Sequence, residues 1–145
     1  MKVRELMTGK VIDIGREESV TVAARALAHY NVGVLPVRGE HGDLCGVVTD
    51  RDIVTRCLAA GRTPENTKVG EIMTAQVYSA QPDMDTSAAA HMMGRQQVRR
   101  LPVVENGKLC GMVSLGDLAR SDESVMDAAD ALGDISDNIS PESLL

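Results

Sequence analysis

Apolar residues recur at helical spacing in two places along the chain. Behind Ser19, apolar side chains fall at positions i, i+3, i+4 and i+7, and serine favours the N-cap because its oxygen accepts a hydrogen bond from a free N–H of the first turn. Asp85 takes the same place before the apolar run 88–93. The apolar positions of the first helix are Val20, Ala23, Ala24 and Leu27. Two further helices are predicted at 50–60 and 115–121.

Short runs bounded by turn residues lie between these helices and predict strands. Asn106-Gly107 is a strong hairpin signal, and the longer turn 39–42 takes its place in the first half of the chain. Pro36 and Pro102 lie inside two of the runs and indicate edge positions or bulges, because proline has no N–H to donate to a neighbouring strand. The predicted strands are 11–14, 34–38, 44–49, 77–80, 101–105 and 109–114.

The two halves of the chain are copies of one another. The segment 3–8 (VRELMT) recurs 66 residues later as 69–74 (VGEIMT), and the Leu-Pro-Val run 35–37 recurs at the same offset. The offset falls to 65 beyond the hairpin turn, which is one residue shorter in the second copy. We therefore predict an α+β fold of two β-α-β-β-α repeats. A unit of about 60 residues makes a marginal core by itself, so two sheets packed together would bury what each leaves open.

These patterns divide the chain into four parts. The predicted boundaries are 1–61 for the first repeat, 62–68 for a linker rich in Gly, Pro, Asn and Thr, 69–121 for the second repeat, and 122–145 for an acidic C-terminal helix and flexible tail. The helix in the last part is predicted from Val125, Ala129 and Leu132, with its end near Gly133 and a flexible segment from 134 onward.

Composition argues against a nucleic-acid-binding protein. The chain has 145 residues and a net charge of −6, and it contains two Tyr but no Phe or Trp. Residues 1–121 carry 15 basic and 14 acidic side chains, whereas the last 24 residues carry seven acidic and no basic ones. A nucleic-acid binder is disfavoured, because duplex binding needs a basic face and single strands stack on aromatic rings.

Other signals point to a cytoplasmic protein without catalytic chemistry. No apolar run is long enough to span a membrane, and the N-terminus lacks the apolar stretch of a signal peptide. Cys45, Cys57 and Cys110 have no CxxC spacing, which favours free thiols, with Cys57 near Arg56 as the most reactive. The three histidines lack metal-ligand spacing, and no nucleophile or phosphate-loop motif is present. We expect no metal and no enzymatic activity.

The repeated motifs resemble those of the CBS-domain family (cystathionine-β-synthase repeats), and the pair resembles a Bateman module of the stand-alone bacterial kind. The motifs are Met-Thr at 7–8 and 73–74, Leu-Pro-Val at 35–37 and 101–103, and the runs 46–52 (GVVTDRD) and 111–117 (GMVSLGD). The resemblance implies repeats packed about a pseudo-twofold axis with two clefts that take AMP, ADP, ATP or S-adenosylmethionine. It also implies a disc-like homodimer and a regulatory role.

The ends of the second hairpin strands carry the first candidate site residues. Thr49 with Asp52, and Ser114 with Asp117, place a hydroxyl and a carboxylate on one face of a strand-to-helix turn, beside free N–H groups that favour phosphate. The same spacing is also a capping box, which stabilises the turn without a ligand, and both roles can coexist. The resemblance implies that the Asp receives the ribose hydroxyls and that the Ser or Thr faces the phosphate or ribose.

The residues before the second Leu-Pro-Val distinguish the two clefts. Arg99-Arg100 stand there, where the first repeat has Gly33-Val34. Two guanidinium groups suit a phosphate, which they can grip with forked donors, although exposed edge-strand charges that discourage aggregation are the alternative. The adenine slot is assigned to backbone groups after each Met-Thr. The remaining candidate ligand-binding residues are Lys10, Val11, Gln76, Val77, Pro36 and Pro102.

The sequence thus predicts a regulatory adenine-nucleotide sensor in which the nucleotide is a ligand and no cofactor is required. The alternative is a ligand-free structural, interaction or stress-response protein of the same family that acts through protein partners. Saturable nucleotide binding separates the two. We expect a homodimer, an unidentified protein partner as a further possibility, and no contact with nucleic acid or membrane.

Overall fold

The computed structural model describes residues 1–137, and the chain forms two compact units that cross the boundaries of the sequence repeats. The central unit is Ile12–Val77. The terminal unit combines Met1–Val11 with the chain from Tyr78 onward. The segment that ends in each Met-Thr therefore packs with the hairpin of the other repeat. The sequence repeats and the packed units therefore have different boundaries along the chain.

The central unit contains a three-stranded sheet in the order β1-β2-β3. Strand β1 runs parallel to β2, and β2 runs antiparallel to β3. Helix α2 continues directly into a π-helix, Ile53–Leu58. The elements are β1 Ile14–Gly15, α1 Val20–Tyr30, β2 Val34–Arg38, β3 Leu44–Thr49, α2 Asp50–Asp52, a 3-10 helix Pro64–Asn66 and α3 Val69–Ile72.

The terminal unit contains an antiparallel pair of strands and, among residues 1–137, the longest helix. Strand β4 pairs with β5, and Ala80 adds one parallel bridge to Val103. The elements are a 3-10 helix Val3–Glu5, α4 Thr86–Gln96, β4 Arg100–Glu105, β5 Lys108–Ser114, α5 Leu115–Ala119 and α6 Val125–Asp137. The mixture of helices and strands confirms the α+β class.

Short-range signals located most of these elements. The bounds of β2 and β3 match the predicted strands, and the Oγ of Ser19 accepts a hydrogen bond from Val22 N at 3.3 Å, as an N-cap residue should. The strands predicted at 11–14 and 77–80 are wrong in extent. Only Ile14 in the first range pairs, as part of β1, and only Ala80 in the second, as an isolated bridge to Val103.

The strand prolines lie beside bulges. The register shifts one residue after Pro36, between Val37 and Arg38, and at the equivalent place after Pro102. The bulge interpretation is therefore confirmed. An edge position is wrong for Pro36, since β2 lies in the middle of its sheet. Proline is tolerated there because β1 pairs only with Val37 and Arg38 and does not reach it.

Each unit has its own aliphatic core. Leu35, Val48 and Ile72 are fully buried in the central unit, and Leu101, Met93 and Leu118 in the terminal one. The predicted linker 62–68 takes part in this packing. Thr67 is buried, and its carbonyl accepts a hydrogen bond from Val20 N at 2.9 Å at the start of α1. Among residues 1–137, no helix is both long and apolar enough to cross a bilayer.

Helix α6 differs from the predicted C-terminal helix in length and orientation. It runs to Asp137, so the predicted end near Gly133 is wrong, and the residues 134–137 that we expected to be flexible are helical. Its buried side chains are Ala128, Ala131 and Ile135, whereas Val125 and Leu132 of the predicted apolar face are 39% and 45% exposed. The rest of the predicted flexible tail, 138–145, lies outside the described residues.

Candidate ligand-binding site

A Met-Thr segment packs against each hairpin beside a glycine of the second hairpin strand, Gly46 in one unit and Gly111 in the other. Thr74 exchanges two backbone hydrogen bonds with Val47 at 2.8 and 2.9 Å, and Thr8 does the same with Met112 at 2.8 and 3.0 Å. A Cβ atom on Gly46 would lie 2.8 Å from the Thr74 carbonyl oxygen. The glycine that opens each of the runs 46–52 and 111–117 therefore permits the close approach that brings the Met-Thr segment to the hairpin.

Both predicted capping boxes are present. Thr49 Oγ1 accepts from Asp52 N at 3.0 Å, and Asp52 Oδ2 accepts from Thr49 N at 3.1 Å. Ser114 Oγ accepts from Asp117 N at 3.1 Å, and Asp117 Oδ2 accepts from Ser114 N at 2.9 Å. The capping role is confirmed at both turns. It fixes the direction of each carboxylate and leaves a ligand-binding role open.

Each of these carboxylates has an arginine one helical turn further on. Asp52 Oδ1 lies 3.8 Å from Arg56 Nε, and Asp117 Oδ1 lies 3.2 Å from Arg120 Nη1. Thr74 Oγ1 also lies 3.3 Å from Asp52 Oδ2. Because the cap occupies mainly one oxygen of each carboxylate, the other oxygen remains a hydrogen-bond acceptor beside the arginine.

The two units differ in charge at equivalent backbone positions. Leu115 N donates to the Arg99 carbonyl at 2.9 Å, and Asp50 N donates to the Gly33 carbonyl at 3.2 Å, so Arg99 with Leu115 matches Gly33 with Asp50. A Cβ on Gly33 would lie 3.7 Å from a carboxylate oxygen of Asp50. The terminal unit thus has a cation where the central unit has an anion. This supports the expectation that the clefts differ.

A groove of about 600 Å³ opens beside these residues in the terminal unit. Strand and turn residues form one side of it, and α5 and α6 form the rest. Among the described residues, its lining includes three arginines and no carboxylate, although the whole chain is acidic. The lining residues are Arg99, Arg100, Ser114, Leu115, Gly116, Ala119, Arg120, Val125, Ala128, Ala129 and Leu132.

The remaining predicted site residues are distributed over both units. Lys10 and Val11 belong to the terminal unit with Ser114, and Gln76 and Val77 belong to the central unit with Thr49. None of these four lines the groove. Pro36 and Pro102 are buried within their hairpins and likewise lie outside it. The structure therefore brings Arg99, Arg100 and Ser114 together and leaves the adenine slot after each Met-Thr as a prediction.

Sequence reasoning missed three contributions to these sites. Thr74 contacts Asp52, Arg120 contacts Asp117, and α6 supplies Val125 and other groove residues. Arg56, which lies beside Asp52, also donates a hydrogen bond to the Met73 carbonyl at 3.1 Å. The recurrence of Thr after Met pointed to Thr74, and the i+3 and i+4 spacing from each Asp pointed to the arginines.

The cysteines are packed within the two units. Burial raises the pKa of both the Cys45 and the Cys110 thiol, and each donates to a strand carbonyl at 3.4 Å. The prediction that Cys57 is the most reactive of the three is wrong, because its side chain, on the inner side of the π-helix, is fully buried and faces the Arg62 carbonyl. Within residues 1–137, no group of three His, Cys, Asp or Glu could hold a metal ion.

Comparison with known proteins agrees with this architecture. The family model for the CBS domain matches residues 3–59 and 69–124. The CBS domain-containing protein YhcV of Bacillus subtilis is 40% identical over 134 residues, which covers 92% of this chain and 94% of the relative. Hypoxic response protein 1 of Mycobacterium tuberculosis is 35% identical over 117 residues, covering 81% of this chain and 82% of the relative.

Solved structures extend the agreement to three dimensions. The crystal structure of Hypoxic Response Protein I with two coordinated zinc ions superposes with a TM-score of 0.77 at 34% identity, covering 83% of this chain and 98% of that one. The CBS domain pair of protein MJ0100, in complex with 5'-methylthioadenosine and S-adenosyl-L-methionine, gives 0.73 at 29% identity, covering 83% and 94%. Two motif-bearing hairpins and two family matches define a tandem CBS protein. This chain belongs to the CBS-domain family.

Proposed function

We propose that this CBS pair is a regulatory module that binds an adenosine-containing ligand and has no catalysis of its own. The observation that carries the proposal is the groove of about 600 Å³ in the terminal unit, called the arginine groove because Arg99, Arg100 and Arg120 line it. Ser114 lines the same groove. Cavities of this size suit small molecules. The complex of the MJ0100 domain pair with 5'-methylthioadenosine and S-adenosyl-L-methionine supports the adenosine class. The candidate ligands are AMP, ADP, ATP and S-adenosylmethionine.

The polar groups suggest a role for each end of such a ligand. Arg99 and Arg100 are exposed and present forked donors to a phosphate. Asp117 is not part of the groove lining, but its cap turns one oxygen toward the groove residue Arg120, which suits that oxygen to accept ribose hydroxyls at the edge of the groove. Asp50 repels a phosphate at the equivalent place in the central unit, so Thr49 and Asp52 form the weaker site for a phosphorylated ligand.

Calorimetric titration with AMP, ADP, ATP and S-adenosylmethionine tests the proposal. We expect saturable binding by the wild type, and binding that is lost or weakened at least tenfold in Arg99→Ala. Among the described residues, the Arg99 side chain makes no hydrogen bond or ion pair, so its removal should leave the fold unchanged. Val34→Ala in the central unit is not expected to change this binding and serves as the control. Folded wild-type protein that binds none of these ligands would refute the proposal and favour a ligand-free interaction protein.

We also propose that the module forms a homodimer. Val54 and Leu58 lie about one turn apart on the π-helix of the central unit, and their side chains are 56% and 54% exposed. Large apolar side chains so placed favour association. Sedimentation should give twice the monomer mass for the wild type and a shift toward monomer for Leu58→Glu. A monomeric wild type at micromolar concentration would exclude this dimer.

A further inference from the structure

Helix α6 forms part of the groove although it lies beyond the matched CBS domains. The family match ends at residue 124, and α6 begins at Val125. Ala128, Ala131 and Ile135 anchor the helix, which packs on α4 and α5. A Cβ on Gly94 of α4 would lie 3.2 Å from the Ala131 Cα, so small residues allow a close contact. The position of α6 is therefore fixed by packing.

The remaining surface of α6 is divided between apolar and acidic side chains. Val125, Ala129 and Leu132 line the arginine groove. Asp127, Asp130 and Asp134 line a separate cavity of about 80 Å³ together with Ser87 and His91. These three aspartates thus lie away from the groove, and the α6 residues that line the groove carry no charge. The groove combines arginine side chains with an apolar helical wall.

We propose that α6 is a specificity wall of the ligand site, which holds the flat apolar part of a phosphorylated nucleoside while Arg99 and Arg100 hold its phosphate. This inference rests on the proposed function. The positive arginines complement a negatively charged phosphate. Val125 and Leu132 are exposed, and the base of a nucleotide placed between the arginines and α6 would cover them. The ligand class is a nucleotide with a planar base, in preference to inorganic phosphate or to cationic S-adenosylmethionine.

Paired substitutions on α6 test this wall. Leu132→Asp places a carboxylate in the groove and removes apolar contact, so the dissociation constants for AMP and ATP should rise at least tenfold. Met126→Asp is the matched control, because Met126 lies on the same helix, is 71% exposed and does not line the groove. It should bind like the wild type. Both sites are exposed, so the thermal unfolding midpoints should stay close together.

The outcomes separate this inference from the proposed function. One outcome is that Leu132→Asp and Met126→Asp both bind with wild-type affinity while Arg99→Ala loses binding. This outcome would refute the role of α6 in ligand binding and would leave the proposed nucleotide-binding function standing. A wild type without affinity for any adenosine ligand would overturn both. Inorganic phosphate that competes as well as AMP would also refute the wall. If Leu132→Asp unfolds, Leu132→Ala provides the same comparison against Met126→Ala, with a weakening of about fivefold expected.

Discussion

The substitution Gly111→Ala probes the contact that assembles the terminal unit. The new Cβ would lie 2.9 Å from the carbonyl oxygen of Thr8 and 2.8 Å from the Sδ of Met7. The sulfur is at the end of a flexible side chain and can move. The carbonyl cannot move alone, because Thr8 exchanges two backbone hydrogen bonds with Met112. The strand must therefore shift, or the segment must separate from the hairpin.

The magnitude follows from two opposed effects. Overpacking a tight site costs about 1–3 kcal/mol, and the rigid carbonyl places this case near the upper end. Replacing glycine by alanine in a strand recovers about 0.5–1 kcal/mol of backbone entropy. We therefore expect the free energy of unfolding to fall by about 2 kcal/mol, taking the difference between these ranges.

Urea unfolding followed by far-UV circular dichroism measures this change. Gly133→Ala is the control, since Gly133 lies in α6 and a Cβ there meets nothing within 4 Å. Helix propensity predicts that this control gains up to about 1 kcal/mol. The two alanine variants should thus shift the midpoint in opposite directions. A Gly111→Ala midpoint at or above that of the wild type would refute the close-approach argument.

Three further predictions concern the Ser124 hydroxyl and the cysteine thiols. Ser124 is fully buried and its Oγ donates to the Leu118 carbonyl at 2.5 Å, so Ser124→Ala should lower the unfolding free energy by about 1–2 kcal/mol in urea titrations, and an unchanged midpoint would contradict this. Because burial raises the pKa of Cys45 and Cys110, their thiols should react with a disulfide reagent more slowly than a free thiol at pH 8, and faster as the pH rises. Fully buried Cys57 should react only on unfolding, and its rapid labelling in the native state would refute its placement.

The sequence repeat and its short-range signals predicted the hairpins and turns of the site. Strands β2 and β3, the N-cap at Ser19 and the capping boxes at Thr49 and Ser114 all depend on residues within a few positions of one another. Such interactions are encoded by local spacing, so they can be inferred from a single chain. The charge difference between Arg99 and Gly33 was equally visible, because equivalent positions align in the repeat.

The exchange of Met-Thr segments between the repeats could not be inferred in this way. Thr8 and Met112 are distant in sequence, and nothing in the periodicity of either segment specifies its partner. Helix α6 shows the same limit. Its larger apolar residues, Val125 and Leu132, predicted the buried face, but the close approach at Gly94 admits only small side chains and turns Ala131 inward instead.

The sequence by itself determined the family, the two repeats and the positions of the polar motifs, since these are properties of order and spacing along the chain. Only the tertiary structure decided which segments share a unit and which face of α6 lines the groove. Those choices depend on the fit between surfaces that are far apart in sequence, because close packing rewards matched shape and volume more than local hydrophobicity.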